Sequence, residues 1–252
     1  MIDNKIVHIW HIPLDRSHLV TGKLSELLSE QEQARAKRFH DDRNRNRFIV
    51  ARGILRIILS DYTNIPANHL VFGSNLYGKP YLKHAHTNEI LEFNLAHSQD
   101  QGILAVAIGR SVGIDLEFIR PIRNYSKIAQ SVFTESENRA LRLMPEDKRL
   151  IAFFTCWARK EAYVKSIGLG LSHFQSFNVN VEPDAECVYP EINPGCELDH
   201  DVSTIRTMNL LPDYVGAVAA KGVDWEVKLF GNEVLNEKCS FFFSLDGSAR
   251  VG

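Results

Sequence analysis

Two stretches of small apolar residues, Gly102-Ile-Leu-Ala-Val-Ala-Ile108 and Tyr214-Val-Gly-Ala-Val-Ala-Ala220, constrain this chain more than any other feature. Each follows a polar turn and offers almost nothing polar to solvent, so each reads as a buried strand. Segments 6–12, 91–95, 112–118, 174–181 and 203–210 also read as strands. Between them lie helical patterns. Leu24, Leu27 and Leu28 lead into the polar run 29–37, and Phe48, Ile49, Ala51, Ile54, Leu55, Ile58 and Leu59 share one helix face. A helix-rich stretch after Arg120-Pro121 runs through Lys165 and stops at Gly168-Leu169-Gly170, a C-terminal cap. The pattern predicts an α+β fold. Two buried strands resemble each other by chance, so their echo alone does not establish duplication, but it fits two similar halves joined near Gly109 to Gly113.

Composition narrows the functional classes. A chain of 252 residues with 44% hydrophobic content is long enough for one large domain or two modest ones. A formal net charge of -2 argues against a protein that coats nucleic acid through overall charge. Cys156, Cys187, Cys196 and Cys239 lie far apart with no metal-finger spacing, so reduced thiols are expected. No apolar run approaches the roughly 18 residues that a membrane span needs. The first residues lack a basic region followed by an apolar one. The expectation is a cytoplasmic protein.

Three segments carry chemistry. In Gly113-Ile114-Asp115-Leu116-Glu117 the two carboxylates stand two apart on a strand and share a face. The plain reading is an acidic strand surface; the sharper one is half of a site for a hard divalent cation. In Phe153 to Lys165, the residues Leu150, Phe153, Phe154, Trp157 and Val164 make a helical stripe, and Glu161 falls on it. A buried carboxylate is costly unless paired or metal-bound, and a Glu161–Lys165 pair one turn apart does not explain its place on that stripe. Phe93 to Ser98 is a strand running into a polar His-Ser turn, with no nucleophile elbow. Upstream, Arg35, Lys37, Arg38, Arg43, Arg45, Arg47, Arg52 and Arg56 form a basic cluster. Most of it reads as solvated surface, with some members suited to a phosphate.

Taken in order, Gly78-Lys79-Pro80, Phe93 to Ser98, Gly113 to Glu117 and Trp157-Ala-Arg-Lys160-Glu161-Ala-Tyr-Val-Lys165 resemble the larger, surfactin-type 4′-phosphopantetheinyl transferases over roughly residues 35–180. The resemblance implies a pseudo-dimer of two similar α+β halves with the active site in the cleft between them. The halves would span 1–110, with the coenzyme A nucleotide contacts, and 111–222, with the metal and the catalytic helix; 223–252 would be an extension. It implies Mg²⁺ (or Mn²⁺ in its place) on Asp115, Glu117 and Glu161, and catalytic roles for Glu161 and Lys165. It places Arg47, Lys79, Ala96, His97, Ser98, Arg35 and Lys160 around coenzyme A. Two departures stand out: Ala96 replaces a serine common in relatives, and Glu32 with Arg35 replaces a lysine pair. The reaction implied is transfer of phosphopantetheine to a serine of an apo acyl or peptidyl carrier protein by a monomer, with release of 3′,5′-ADP. A metal-dependent phosphohydrolase using the same carboxylates, or a nucleotide- or RNA-binding module using the arginines, are the alternatives.

Overall fold

The computed structural model describes residues 3–83, 90–196, 198 and 201–248. The first half opens with strand β1 (Ile6–Pro13) and helices α1 (His18–Glu26), α2 (Glu30–Ala36) and α3 (Asp42–Thr63). Ser17, Ser29 and Asp41 accept backbone N–H groups at the three helix starts, so each helix begins where a capping side chain precedes it. A small hairpin, β2 (Phe72–Ser74) and β3 (Pro80–Leu82), precedes β4 (Leu91–Ser98) and β5 (Gln101–Ile108). The second half comprises β6 (Val112–Phe118), α4 (Tyr125–Val132), α5 (Glu135–Leu143), α6 (Glu146–Ser166), β7 (Phe177–Asn178), β8 (Cys187–Val188), β9 (Glu191–Ile192), β10 (Ser203–Met208) and β11 (Tyr214–Lys221). The described chain ends with β12 (Glu226–Phe230) and α7 (Asn232–Ser248).

Two four-stranded sheets result, in the orders β12-β1-β5-β4 and β6-β11-β10-β8. The two echoing segments are β5 and β11, each an inner strand of its sheet. Leu104 and Val106 of β5 face a core shared with α1 and α3, whereas Ile103, Ala105 and Ala107 face a core between the two sheets. Likewise Val215, Ala217 and Ala219 of β11 face α6, and Val218 and Ala220 face the inter-sheet core. The strands are apolar on both sides because both sides are covered. Asn94 and Ser98 on β4 join the sheets, their side-chain oxygens accepting the N–H groups of Ile114 (2.9 Å) and Phe118 (3.1 Å) on β6. Among the described residues no helix is long and apolar enough to cross a membrane.

The structure changes three expectations. Residues 223–248, the described part of the segment divided off as an extension, pack on the first half: β12 pairs parallel with β1, and Phe230 stacks on Trp10 at 4.2 Å. Among the described residues, β12 is the strand that covers the edge of β1 opposite β5. Strand β4 runs on through His97 and Ser98, so the turn begins at Gln99, which adopts a left-handed φ of 53°. The segment 174–181, expected as a strand, is mostly a 3₁₀ turn (Leu171–Ser176) and a two-residue strand.

The β1–β12 junction has a consequence for acid stability. Trp10 Nε1 donates to the Tyr62 hydroxyl at 2.9 Å, and that hydroxyl shares a hydrogen bond with His8 Nδ1 at 2.8 Å. Burial, and then the charge of Lys228, lower the His8 pKa from 6.5 to about 4. The folded state thus stays unprotonated where the unfolded chain takes up a proton, so this contribution to stability is lost as pH falls from 6.5 towards 4. Urea titrations at neutral and mildly acidic pH are expected to show that His8→Leu reduces the acid-induced loss by about 1 kcal/mol. An unchanged pH dependence would remove His8 from the account.

Candidate active site

Backbone contact between β6 and α6 sets the geometry of the site. A Cβ added to Gly113 would lie 2.1 Å from Ala162 O and 2.3 Å from Ser166 N, so only glycine admits so close an approach. Two residues along, Asp115 then meets the helix: Lys165 Nζ donates to Asp115 Oδ1 at 2.6 Å. Lys165 also lies 3.5 Å from Glu161, one helical turn back. Asp115 is buried, and its second oxygen, Oδ2, has no hydrogen-bond partner.

Glu117 completes an acidic group. Burial, and then the nearby Asp115 carboxylate, push its pKa up to about 7. Glu161 is also raised, by burial first, with Lys165 opposing and Asp115 adding to the effect. Burial alone would lower Lys165, but Asp115 and Glu161 outweigh it and raise its pKa. From the other half, His97 reaches the same place. The residue is exposed overall, yet partial burial of its ring, and then the charge of Lys165, lower its pKa; Arg35 and Asp115 also act on it.

The sequence put Glu161 on an apolar stripe with Trp157 and Val164, and the structure keeps it beside Trp157 but on the less covered side of the helix. Helix α6 is buried on most sides by Phe153, Phe154, Cys156, Ala158, Arg159, Ala162, Tyr163 and Val164. Trp157, Glu161 and Lys165 share its less covered side. The carboxylate is held at an opening, with its side chain 16% exposed.

Several residues expected around coenzyme A make contacts within the protein. Lys160 is fully buried and donates to Glu137 Oε1 and Phe177 O, both at 2.6 Å. Glu137 also closes the capping box of α5 with Thr134, a Thr-x-x-Glu pattern readable in the sequence, and accepts from Val179 N at 2.8 Å. The methyl group of Ala96 lies in the inter-sheet core, and the Ser98 hydroxyl is the tie to β6. Arg47 makes a forked pair with Asp15 at 2.7 and 3.0 Å. Lys79 donates to Val112 O and Ser166 O, each at 3.1 Å. Arg35 stacks over Phe48 and lines a cleft of about 920 Å³ with Arg52, Gly73 and Tyr81. Glu32, in the wall of that cleft, is held by Arg52 and Arg56 at 2.6 Å each.

Two family models match the chain end to end with one another. The model for the 4′-phosphopantetheinyl transferase superfamily covers residues 111–216, and that for the N-terminal part of 4′-phosphopantetheinyl transferases covers residues 17–109. The chain is 35% identical to the 4′-phosphopantetheinyl transferase HetI of a Nostoc species over 226 residues, 89% of this chain and 91% of the relative. The chain belongs to the 4′-phosphopantetheinyl transferase family. It is also 28% identical to the 4′-phosphopantetheinyl transferase psf-1 of Bacillus pumilus (86% of this chain, 90% of the relative) and 26% identical to Sfp of Bacillus subtilis (86% and 93%). Members of this family move the phosphopantetheine group of coenzyme A onto carrier proteins.

For a phosphopantetheinyl transferase, the question is whether these side chains suit a divalent cation. Among the described residues, no three His, Cys, Asp or Glu side chains converge as a ready-made cage. The donor set nevertheless fits one. Asp115, Glu117 and Glu161 supply hard carboxylate oxygens, Asp115 Oδ2 lacks a partner, and the Lys165 ammonium already stands as a cation between Asp115 and Glu161.

The Lys160 pair makes a separate expectation for this transferase. Lys160→Met removes one member of a fully buried ion pair and leaves the Glu137 carboxylate without its cation. A loss of about 3–5 kcal/mol is expected in chemical denaturation. A KM for coenzyme A that rises without loss of stability would instead return Lys160 to the binding site.

Proposed function

We propose that Asp115, Glu117, Glu161 and Lys165, with His97 from the opposite half, form the centre at which this transferase moves phosphopantetheine from coenzyme A to the serine of an apo carrier protein. The reading is carried by the meeting of β6 and α6, which sets the unpartnered Asp115 oxygen beside an ammonium and two further carboxylates. Asp115, Glu117 and Glu161 would hold Mg²⁺, which when bound supplies positive charge to the pyrophosphate oxygens. Lys165 sits close enough to the carboxylates to add a second positive charge against the departing phosphate. The serine oxygen attacks the β-phosphorus, the bond to 3′,5′-ADP breaks, and the serine proton passes to the carboxylate group around Glu161, either to Glu161 itself where it is not held by the cation or to a water beside it. His97 faces the anionic end of coenzyme A from β4.

The test is to incubate the protein with coenzyme A, Mg²⁺ and several apo-carriers, then weigh each carrier. A gain of one phosphopantetheine group on at least one carrier is expected. Release of ADP from coenzyme A with no carrier modified would favour a phosphohydrolase and overturn the reading.

A further inference from the structure

The tip of the β2–β3 hairpin crosses from the first half to the second. Asn75 builds the turn: its Oδ1 accepts from Tyr77 N and Lys79 N at 2.9 Å, and its backbone N donates to Lys79 O at 3.0 Å. Gly78 supplies the left-handed position, with φ 85°. Held in this way, Asn75 Nδ2 donates to Gly168 O at 2.7 Å. Lys79 Nζ donates to Ser166 O and Val112 O, and the Tyr77 ring meets His173 edge-on at 5.7 Å.

These contacts fall mainly on two places. Ser166 and Gly168 form the exit of α6, which carries Glu161 and Lys165. Val112 is the first residue of β6, which carries Asp115 and Glu117. An ammonium on the last carbonyls of a helix is also favoured by the helix dipole. One side chain, Lys79, therefore touches both chemistry-bearing elements at their shared end. Its amine, directed at two main-chain carbonyls with Glu92 3.5 Å away, is already coordinated by protein.

We infer that this hairpin tip is a clasp between the halves that fixes α6 against β6, with Asn75 and Lys79 as positioning residues for the Asp115–Lys165–Glu161 group. For catalysis the inference rests on the function proposed above; for structure it stands alone.

Two measurements on Asn75→Ala, Lys79→Met and Lys79→Arg separate these levels. The first is amide hydrogen exchange at Ile167, Gly168 and Leu169, whose N–H groups close the last turn of α6. In Asn75→Ala and Lys79→Met these amides should exchange about tenfold faster while those of β5 do not change. The second is steady-state transfer kinetics. Misplacement at the exit of α6 should lower kcat about tenfold and leave KM for coenzyme A within about twofold, with Lys79→Arg restoring much of the loss. Unchanged exchange in both variants would overturn the clasp. So would a raised KM with unchanged kcat, which would make the hairpin a ligand contact. Should the wild type transfer nothing, the function proposed above fails, and hydrogen exchange alone decides the clasp.

Discussion

Glu161→Gln is expected to lose nearly all transfer activity, at least about a hundredfold in kcat, and most of the rise in melting temperature expected of the wild type with Mg²⁺. The glutamine keeps the size and hydrogen-bonding shape of the side chain and removes only its charge. Without metal the substitution should not destabilise the fold, because burial already disfavours the charged form of Glu161 and the Lys165–Asp115 bond at 2.6 Å remains. With Mg²⁺ and coenzyme A the wild type should melt higher, since a ligand that binds only the folded state stabilises it by mass action. Asp115→Ala should match it in activity. Thermal melts with and without Mg²⁺, beside carrier-mass assays, measure both effects. A Glu161→Gln protein that retains the full Mg²⁺ shift and normal activity would show that the metal and the chemistry lie elsewhere.

Gly113→Ala should be among the most damaging single methyl groups that can be added to this protein. The new Cβ would meet Ala162 O at 2.1 Å, Ser166 N at 2.3 Å and Lys165 C at 2.8 Å. These are backbone atoms of a helix, and no rotamer change can move them aside. Sheet and helix must separate, with a loss of about 2–4 kcal/mol expected in urea denaturation. Because the same contact brings Asp115 to Lys165, transfer should fall even at temperatures where the variant is folded. A variant within about 0.5 kcal/mol of wild type would mean that the approach of β6 to α6 is softer than the structure shows.

How far the sequence could be read follows from the range of each interaction. The shared face of Asp115 and Glu117 follows from strand geometry alone, and the small-residue strands announced that both their faces are covered. The ion pair of Lys160 was not legible, because its partner, Glu137, stands 23 residues away on another helix and no local pattern joins the two. Arg47 shows the same limit: its pairing with Asp15, 32 residues earlier, has no local sequence signal. The surroundings of Glu161 were only partly legible. A stripe drawn from apolar spacing cannot show that α6 is covered on most sides and that the carboxylate marks its opening.

The return of β12 to the edge of β1 has a consequence for how the protein is made. Synthesis runs from the N-terminus, so β1, β4 and β5 leave the ribosome well before residues 226–230 exist. Without residues 226–230 the strand β1, which carries the fully buried Val7, Ile9 and Ile12, lacks the partner on the edge that β12 covers. Exposed strand edges of this kind recruit other chains. Emergence of β12 therefore ends a window of vulnerability, and a ribosome that stalls shortly before Glu226 leaves behind a chain whose first sheet is still open to its neighbours.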